Sequence, residues 1–250
     1  MSEATEDIPW RSTLVLYSTL AGLCKLIPLP FIDDIIQGFV VRRMLNQILA
    51  HHDCEADSIA LDRLTRERTG CPLGCLYALV LYPIKKILKK IFFFLAFKDF
   101  LDESSRWFHR GYLVQFAAQG NLLTARELSD EHRLWPVALA IEETCAETDT
   151  KRLTELLRRA FSGSRASLRI AARGLWTIGR TARKDPVPEA AVGAALEQVE
   201  SDPGDLGTAL EAFSTEVWKE SEHLVALERR FLVKLKETAK RYQTGRVAEE

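Results

Sequence analysis

The sequence lacks the patterns that mark most enzymes and nucleotide-binding proteins. It has no glycine-rich phosphate loop, and none of its serines sits in a nucleophile-elbow pattern. Carboxylate pairs such as Asp33-Asp34 and Glu142-Glu143 are common in first helical turns and on solvated helix faces, and spacing does not show that they converge. The sequence therefore predicts no catalytic residue and no cofactor. An enzyme whose site forms only in the fold is the weakest functional interpretation.

Long hydrophobic runs are also missing. The longest uncharged runs, Ser12 to Cys24 and Cys71 to Ile84, are shorter than the ~20 residues that a membrane-spanning helix needs. The segment from Met1 to Asp7 is acidic and polar, without the basic start of a signal peptide. We therefore expect a cytoplasmic protein, or one that is peripheral at the inner face of a membrane.

The cysteines form no regular framework. There are five of them, at irregular spacings: Cys24, Cys54, Cys71, Cys75 and Cys145. An odd number at such spacings predicts free thiols in a reducing compartment. His51, His52 and Cys54 precede Cys71 and Cys75, and these are ligand types that zinc prefers. Their spacing fits no common zinc finger, so no metal site is predicted. Acylation of Cys71 and Cys75 in a eukaryotic host is an alternative.

Helical periodicity dominates the chain, and no convincing strand alternation is present. With 47% hydrophobic and 28% charged residues, the composition is that of an ordinary globular protein. We predict an all-α multi-helix bundle of roughly nine to eleven helices without significant sheet. It forms a single helical domain over residues 9–242, or two packed halves, 9–120 and 121–242. Residues 1–8 and 243–250 are predicted to be flexible tails.

Turn and cap residues place the helix ends. Asp33 is a plausible N-cap, Gly120 closes a helix that follows Asp102, and Ser164 caps a helix that reaches Lys184. The expected helices run from about Ser12 to Ile27, Phe31 to His52, Glu55 to Arg68, Leu122 to Leu128, Pro136 to Glu147, Lys151 to Phe161, Ser164 to Lys184 and Leu206 to Tyr242, with apolar helical pieces between Pro72 and Phe100 and a short helix after Asp185.

Two predicted helices carry clusters of positive charge. In residues 83–100, four lysines fall within an arc of about 140° when placed at 100° per residue: Lys85, Lys86, Lys89 and Lys90. The apolar second half of the same helix contains Phe92, Phe93 and Phe94, which we expect to contribute to a core, or to an exposed apolar patch if a lipid site exists. In residues 164–184, a basic face of about 100° contains Arg165, Arg169, Arg173 and Arg180, with Trp176 among them.

Three interpretations of these basic helices remain open. Four to six cations with a few apolar anchors suit reversible attachment to an anionic membrane surface. Nucleic acid would attract the same charges, but no DNA- or RNA-binding motif supports it. The charges also suit internal pairing, because residues 156–184 hold eight Arg or Lys and no acid, whereas residues 185–228 hold eleven acids and one lysine. Glu142, Glu143, Glu197 and Glu211 are the expected partners.

The C-terminal segment 206–242 has its own pattern. Apolar residues recur near a seven-residue rhythm that Glu220 interrupts: Leu206, Leu210, Phe213, Val217, Leu224, Leu227 and Phe231. Such a rhythm predicts either a helix that closes the bundle or a coiled-coil seam for a protein partner or a second copy. The alternative function is therefore a soluble interaction or scaffold module that acts through residues 206–242.

Residues Leu26 to Ala50 read "LIPLPFIDDIIQGFVVRRMLNQILA". This segment resembles the opening of EcsC-like and YcjF-like bacterial proteins in the order of its elements. These are an apolar helix, a proline step at Pro28 and Pro30, an aspartate at Asp33 and a helix with Met44 near its middle. The chain lacks the glycine-rich second half that such proteins often have. The resemblance implies an all-helical, membrane-associated protein without an assigned reaction, and no site residue carries over from it.

Overall fold

The computed structural model describes residues 9–27, 32–66, 89–182 and 205–249. Over these residues the chain forms ten α-helices and one 3₁₀ turn and contains no strand, so the predicted all-α bundle is confirmed. The elements are α1 (Pro9–Leu23), the 3₁₀ turn (Cys24–Leu26), α2 (Ile32–Ala50), α3 (Ser58–Thr65), α4 (Lys89–Gln119), α5 (Ala125–Leu128), α6 (Glu131–Glu147), α7 (Lys151–Phe161), α8 (Arg165–Ala182), α9 (Asp205–Val217) and α10 (Ser221–Glu249).

Helix α4 is the centre of the bundle, and α1, α2, α6, α7 and α10 all pack against it. Glycine lets α1 approach α4 closely. A Cβ atom at Gly22 of α1 would lie 2.5 Å from the carbonyl oxygen of Phe100 in α4. A Cβ atom at Gly111 of α4 would lie 2.4 Å from Leu14 of α1 and 3.1 Å from Met44 of α2. The three helices therefore meet at distances that larger residues would not allow.

Helices α6 and α10 form a second, antiparallel pair. His132 at the start of α6 contacts Tyr242 late in α10, and Glu147 at the end of α6 pairs with Lys234 (2.6 Å). Between them, the hydroxyl of Thr238 donates to the carbonyl of Pro136 (2.9 Å). One apolar core joins these helices to α1, α2 and α4, so helices from both predicted halves share buried side chains.

Several predicted helix ends are confirmed, and others are wrong. Helix α7 has the predicted bounds, and the helix before Gly120 ends at Gln119. Asp33 is not an N-cap; it lies in the first turn of α2, where its carboxylate lies 3.7 Å from Lys25 Nζ. The helix expected from Pro136 begins at Glu131, because Asp130 caps it by accepting the backbone N–H of His132 (2.9 Å).

Helix α4 does not break before Asp102. It continues through Glu103, Ser104 and Ser105, whose polarity suggests a helix start but which are all buried against neighbouring helices. Ser164 directly precedes α8 as predicted, but its hydroxyl donates to the carbonyl of Asp205 (3.1 Å) and so links α8 to α9. The predicted helical pieces before Lys89 and the short helix after Asp185 lie outside the described residues.

The single C-terminal helix expected from Leu206 to Tyr242 is two helices. α9 ends at Val217, and α10 begins at Ser221 and continues to Glu249, beyond the predicted start of the tail. No proline or glycine marks this break, which coincides with the interruption of the seven-residue rhythm at Glu220. The rhythm residues face the interior: six are buried and Leu210 is half-buried. A partner of this segment would therefore contact the other side of the helices.

The buried carboxylate of Glu103 is the centre of a hydrogen-bond network in the core. Glu103 Oε1 accepts hydrogen bonds from Gln37 Nε2 (2.6 Å) and from Trp107 Nε1 (2.9 Å), and its second oxygen pairs with Arg106. Gln37 also donates to the carbonyl of Ala21 (3.3 Å). Because each buried donor has an acceptor, the network joins α1, α2 and α4 without an unpaired carboxylate.

Candidate functional site

The outer face of α8 carries part of the predicted basic face. Leu168, Ala172 and Leu175 are buried, where α8 packs against α2, α1, α9 and the 3₁₀ turn. Arg169 and Arg173 are exposed on the other side, one helical turn apart. Ile170 lies between them and is 68% exposed. We call these three residues the outer face of α8.

The other predicted basic residues are not brought into a described cluster. Lys85 and Lys86 lie outside the described residues. Lys89, Lys90, Arg165, Trp176 and Arg180 belong to helices, but their side chains lie outside the described part of the structure, as do those of Phe92, Phe93 and Phe94. Of the expected acidic partners, Glu143 pairs with Arg241 (2.7 Å), and Glu197 lies outside the described residues.

A cleft of about 500 Å³ opens between α1, α4 and the connection from α9 to α10. We call it the aromatic cleft, because Trp10, Tyr112, Phe116 and Trp218 line it. The Trp10 and Trp218 rings meet edge to face with centroids 5.2 Å apart. The break after Val217 positions Trp218 here, where its ring also contacts Phe108 (5.6 Å). These contacts hold the aromatic walls in place.

Polar and charged side chains also line the aromatic cleft. The Tyr112 hydroxyl donates to Glu228 Oε1 (2.5 Å), and burial together with this carboxylate raises the pKa of Tyr112 above its ordinary value. His52 Nε2 and Gln115 Oε1 lie 2.9 Å apart. The Arg11 Cζ atom lies over Trp218 (4.9 Å to the ring centroid) and over Trp10 (5.7 Å). Tyr112 therefore keeps its proton, and Glu228 is its acceptor.

Arg11 has no carboxylate partner within the described residues. Its Nε–H and the indole N–H of Trp218 are also buried without an acceptor in the described part of the chain. Since buried donors are normally hydrogen-bonded, two unpaired donors on neighbouring residues of one cleft are unusual. An apolar cleft of this size, with a few converging polar groups, has the general character of a small-molecule site.

A histidine pair lies elsewhere in the bundle. His109 of α4 is buried, and its Nε2 lies 2.8 Å from Nε2 of His223 in α10. At this distance one Nε2 donates its hydrogen to the other, so the two rings cannot both be protonated on Nε2. Burial, and then the neighbouring His223, lower the pKa of His109 to about 3.

His223 faces a cavity of about 230 Å³ beside the start of α7. Lys151, Arg152 and Arg230 line this cavity, and the pKa of His223 is lowered by burial and then by Arg152. All three cations are engaged: Arg152 pairs with Glu220 (2.9 Å), Lys151 pairs with Asp149 (3.6 Å), and Arg230 donates to the carbonyl of Glu147 (2.8 Å). The histidine pair is thus a neutral, hydrogen-bonded link between α4 and α10.

We predict that the His109–His223 pair makes the protein acid-sensitive. Because the folded state keeps His109 neutral and the unfolded chain protonates it near pH 6.5, its contribution is complete above pH 6.5 and is lost as the pH falls toward 3. Between pH 7 and pH 5 this loss is about 2 kcal/mol in the free energy of unfolding. Urea unfolding at both pH values measures it.

His109→Gln should remove this part of the acid sensitivity, because glutamine does not titrate. His51→Gln is the matched control, since His51 is exposed and its replacement should leave the acid sensitivity unchanged. An equal loss of stability on acidification in wild type and His109→Gln would contradict a neutral, buried His109.

Cys24, Cys54 and Cys145 are buried free thiols, and Cys71 and Cys75 lie outside the described residues. Two of the residues that were considered as zinc ligands have hydrogen-bond partners within the protein. His52 bonds to Gln115, and the Cys54 thiol donates to the carbonyls of His52 and Leu123. Over the described ranges, no group of three or more His, Cys, Asp or Glu residues is arranged to hold a metal ion. Nor does any helix in the described part have the length and apolarity needed to cross a membrane.

Comparison of the chain with protein-family models, with curated proteins and with solved structures finds no match. The resemblance of residues 26–50 to EcsC-like and YcjF-like proteins stays a prediction. Of its matching positions, Met44 is fully buried in the described structure, and Pro28 and Pro30 lie outside it. Function must therefore be argued from the surfaces and clefts of this chain.

Sequence reasoning did not find the aromatic cleft or the histidine pair. Arg11, Tyr112, Trp218 and Glu228 come from distant parts of the chain, and no spacing connects them. His109 and His223 are likewise far apart, and neither stands in a recognisable motif. The only local signal was Trp10 next to Arg11, an adjacent aromatic and cation, which is too common to indicate a site.

Proposed function

We propose that the protein attaches reversibly to anionic membrane surfaces through the outer face of α8. The observation that carries this proposal is the exposure of Ile170, 68%, between two exposed arginines on a helix whose opposite side is buried. A cationic face with an apolar anchor is the arrangement that amphipathic helices use at the boundary between lipid headgroups and acyl chains.

Two further large apolar side chains are exposed on α2 and α4. Ile35 is 55% exposed near the start of α2, and Leu95 is 50% exposed near the start of α4. Helix α8 packs against α2 and the 3₁₀ turn, and the 3₁₀ turn packs against α4. These exposed side chains are further apolar groups that a lipid surface could cover, on elements that pack directly or through the 3₁₀ turn against α8.

The energies are large enough for reversible attachment. Each arginine near an anionic surface contributes about 1 kcal/mol, and burial of an isoleucine side chain contributes about 1.5–3 kcal/mol. The cytoplasmic leaflet is the anionic one in most cells. We therefore place the protein in the cytoplasm, peripheral to the inner face of a membrane. Lys85, Lys86, Lys89 and Lys90 belong to the same proposal as a second basic segment.

Arg169→Glu combined with Arg173→Glu should weaken binding to phosphatidylserine-containing vesicles by about 30-fold or more, because two favourable charges become unfavourable. Co-sedimentation at two salt concentrations measures this. High salt should reproduce the effect, since the Debye length falls from ~10 Å at 0.1 M to ~3 Å at 1 M. Phosphatidylcholine vesicles should bind neither protein.

The matched control is Arg158→Glu with Arg159→Glu on α7, which makes the same charge change at two exposed arginines that pair with Glu155. This variant should bind vesicles several-fold more tightly than the α8 variant. Wild type that stays in the supernatant at low salt would overturn the proposal. So would equal weakening by both double substitutions, because the effect would then follow net charge alone.

The interaction-module alternative is proposed second, on one observation. Val225, Leu232 and Val233 are 40%, 41% and 56% exposed on α10. Val225 and Leu232 are two helical turns apart and lie on one face. This face would take a protein partner or a second copy of the chain. Leu232→Lys with Val233→Lys should abolish concentration-dependent self-association in sedimentation velocity if a second copy binds here.

A further inference from the structure

The aromatic cleft has the size and lining of a ligand site. Its volume of about 500 Å³ lies within the ~300–1,000 Å³ typical of small-molecule pockets. The walls are aromatic rings from three elements: Trp10 of α1, Tyr112 of α4, and Trp218 between α9 and α10. Rings held by mutual contacts present flat apolar faces, and these favour a flat apolar ligand.

The positive charge of Arg11 determines which ligand charge the aromatic cleft would favour. Two tryptophans and a tyrosine form the kind of aromatic cage that binds organic cations. Here the protein's own cation already lies over both indole rings, with Arg11 Cζ 4.9 and 5.7 Å from their centroids. Arg11 therefore already occupies the aromatic cage, and its guanidinium would repel a second cation. The Arg11 Nε–H still lacks an acceptor in the described part of the chain, so the guanidinium has hydrogen-bonding capacity left for a bound group.

The acid in the cleft is not paired with Arg11. Glu228 accepts a hydrogen bond from the Tyr112 hydroxyl (2.5 Å), and it forms no ion pair with Arg11. Over the described ranges, the Arg11 guanidinium lies within ion-pairing distance of no carboxylate. Arg11 is half-buried, lies over aromatic rings and has no counter-ion in the described part of the chain. Such a cation favours the binding of an anionic group from solution.

We propose that the aromatic cleft binds a small carboxylate with a flat aromatic body. The carboxylate would pair with Arg11, because the two oxygens match the guanidinium fork, and the body would lie against the rings of Trp10, Tyr112 and Trp218. The bound anion would supply the acceptor that the α1 arginine lacks. This site is separate from the outer face of α8 and does not depend on membrane attachment.

A matched series of ligands tests the charge. 2-Naphthoate, 2-naphthamide and 2-naphthylmethylammonium share one ring system and differ in charge. Isothermal titration calorimetry with the full chain should show the carboxylate binding at least 10-fold more tightly than the amide, with the ammonium weakest. No heat with 2-naphthoate up to millimolar concentrations would overturn the proposal. Equal affinities for carboxylate and amide, or tighter binding of the ammonium, would also overturn it.

Two variants locate the binding. Arg11→Gln should reduce 2-naphthoate affinity at least 10-fold and leave 2-naphthamide affinity unchanged, so that the preference for the carboxylate disappears. Arg42→Gln is the control: this exposed arginine pairs with Asp62, and its replacement should leave the preference intact. A preference that survives Arg11→Gln would place the anion elsewhere and overturn the proposal. If Arg11→Gln does not fold, as circular dichroism would show, Trp218→Leu takes its place and should weaken both neutral and anionic ligands.

Discussion

Replacing Gly22 with alanine is expected to destabilise the protein by about 2–3 kcal/mol, the upper range for adding a methyl group to a packed contact. The new Cβ atom would lie 1.9 Å from the hydroxyl of Ser104 and 2.5 Å from the carbonyl oxygen of Phe100. The hydroxyl can move, but the carbonyl belongs to the backbone of α4. Helices α1 and α4 must therefore separate. Urea unfolding followed by far-UV circular dichroism measures the loss.

Gly38→Ala is the matched control for this prediction. Gly38 lies inside α2, and a Cβ atom there would meet nothing within 4 Å. Alanine should therefore stabilise the protein by about 0.5–1 kcal/mol through its better helix propensity. The two glycine substitutions are expected to act in opposite directions. A Gly22→Ala variant as stable as Gly38→Ala would contradict the close contact between α1 and α4.

Ser104→Ala probes the same contact from the other side. The Ser104 hydroxyl is buried without a partner in the described part of the chain, so its removal should cost little. Combined with Gly22→Ala, it should recover part of the lost stability, because one of the two clashes disappears. A double-mutant cycle measures this coupling. Strict additivity would show that the two residues are not in contact.

Glu103→Met should destabilise the protein by about 2–4 kcal/mol. Methionine fills a similar volume but leaves the buried N–H groups of Gln37 and Trp107 without their acceptor, and each unpaired donor costs about 1–3 kcal/mol. Both donors now bond to Oε1 of Glu103, at 2.6 and 2.9 Å. Chemical denaturation of the variant against wild type gives the difference in the free energy of unfolding.

Glu103→Gln tests whether Glu103 stabilises the protein as a hydrogen-bond acceptor or through its negative charge. Its amide oxygen can take the place of Oε1 and keep both buried donors, so only the pair with Arg106 is lost. Because the Arg106 side chain is 42% exposed, that pair contributes little. We expect a loss below about 1 kcal/mol. If Glu103→Gln and Glu103→Met cost the same, the charge of Glu103 matters more than its hydrogen bonds.

The sequence was sufficient for the fold class because amphipathic periodicity is a local property. Helix α7 has its predicted bounds, since Thr150 and Ser162 flank a strongly amphipathic segment. The break between α9 and α10 was not predictable from turn residues. It exists because Trp218 packs with Trp10 and Phe108, and these contacts join residues more than a hundred positions apart. Tertiary packing overrides a continuous helical pattern there.

Some features of the candidate sites could likewise be predicted from the local sequence, and others depend on tertiary packing. A helix wheel placed Arg169 and Arg173 on one face, and both are exposed there. It could not show that Ile170 is exposed beside them, because exposure depends on which neighbours cover the helix. The state of Arg11 depends on even more distant residues: Trp218 provides the ring, and Tyr112 engages the nearby carboxylate of Glu228. Such contacts are properties of the folded chain and leave no spacing in the sequence.

The order in which the chain is synthesised gives the close contact between α1 and α4 a further consequence. The residues of α4 follow those of α1 by roughly 65–95 positions, which at about 5–20 residues per second corresponds to about 3–20 s of translation. α2 is made soon after α1 and can pair with it. During the remaining time the surface around Gly22, which α4 covers closely in the folded chain, faces solvent and chaperones on the growing chain.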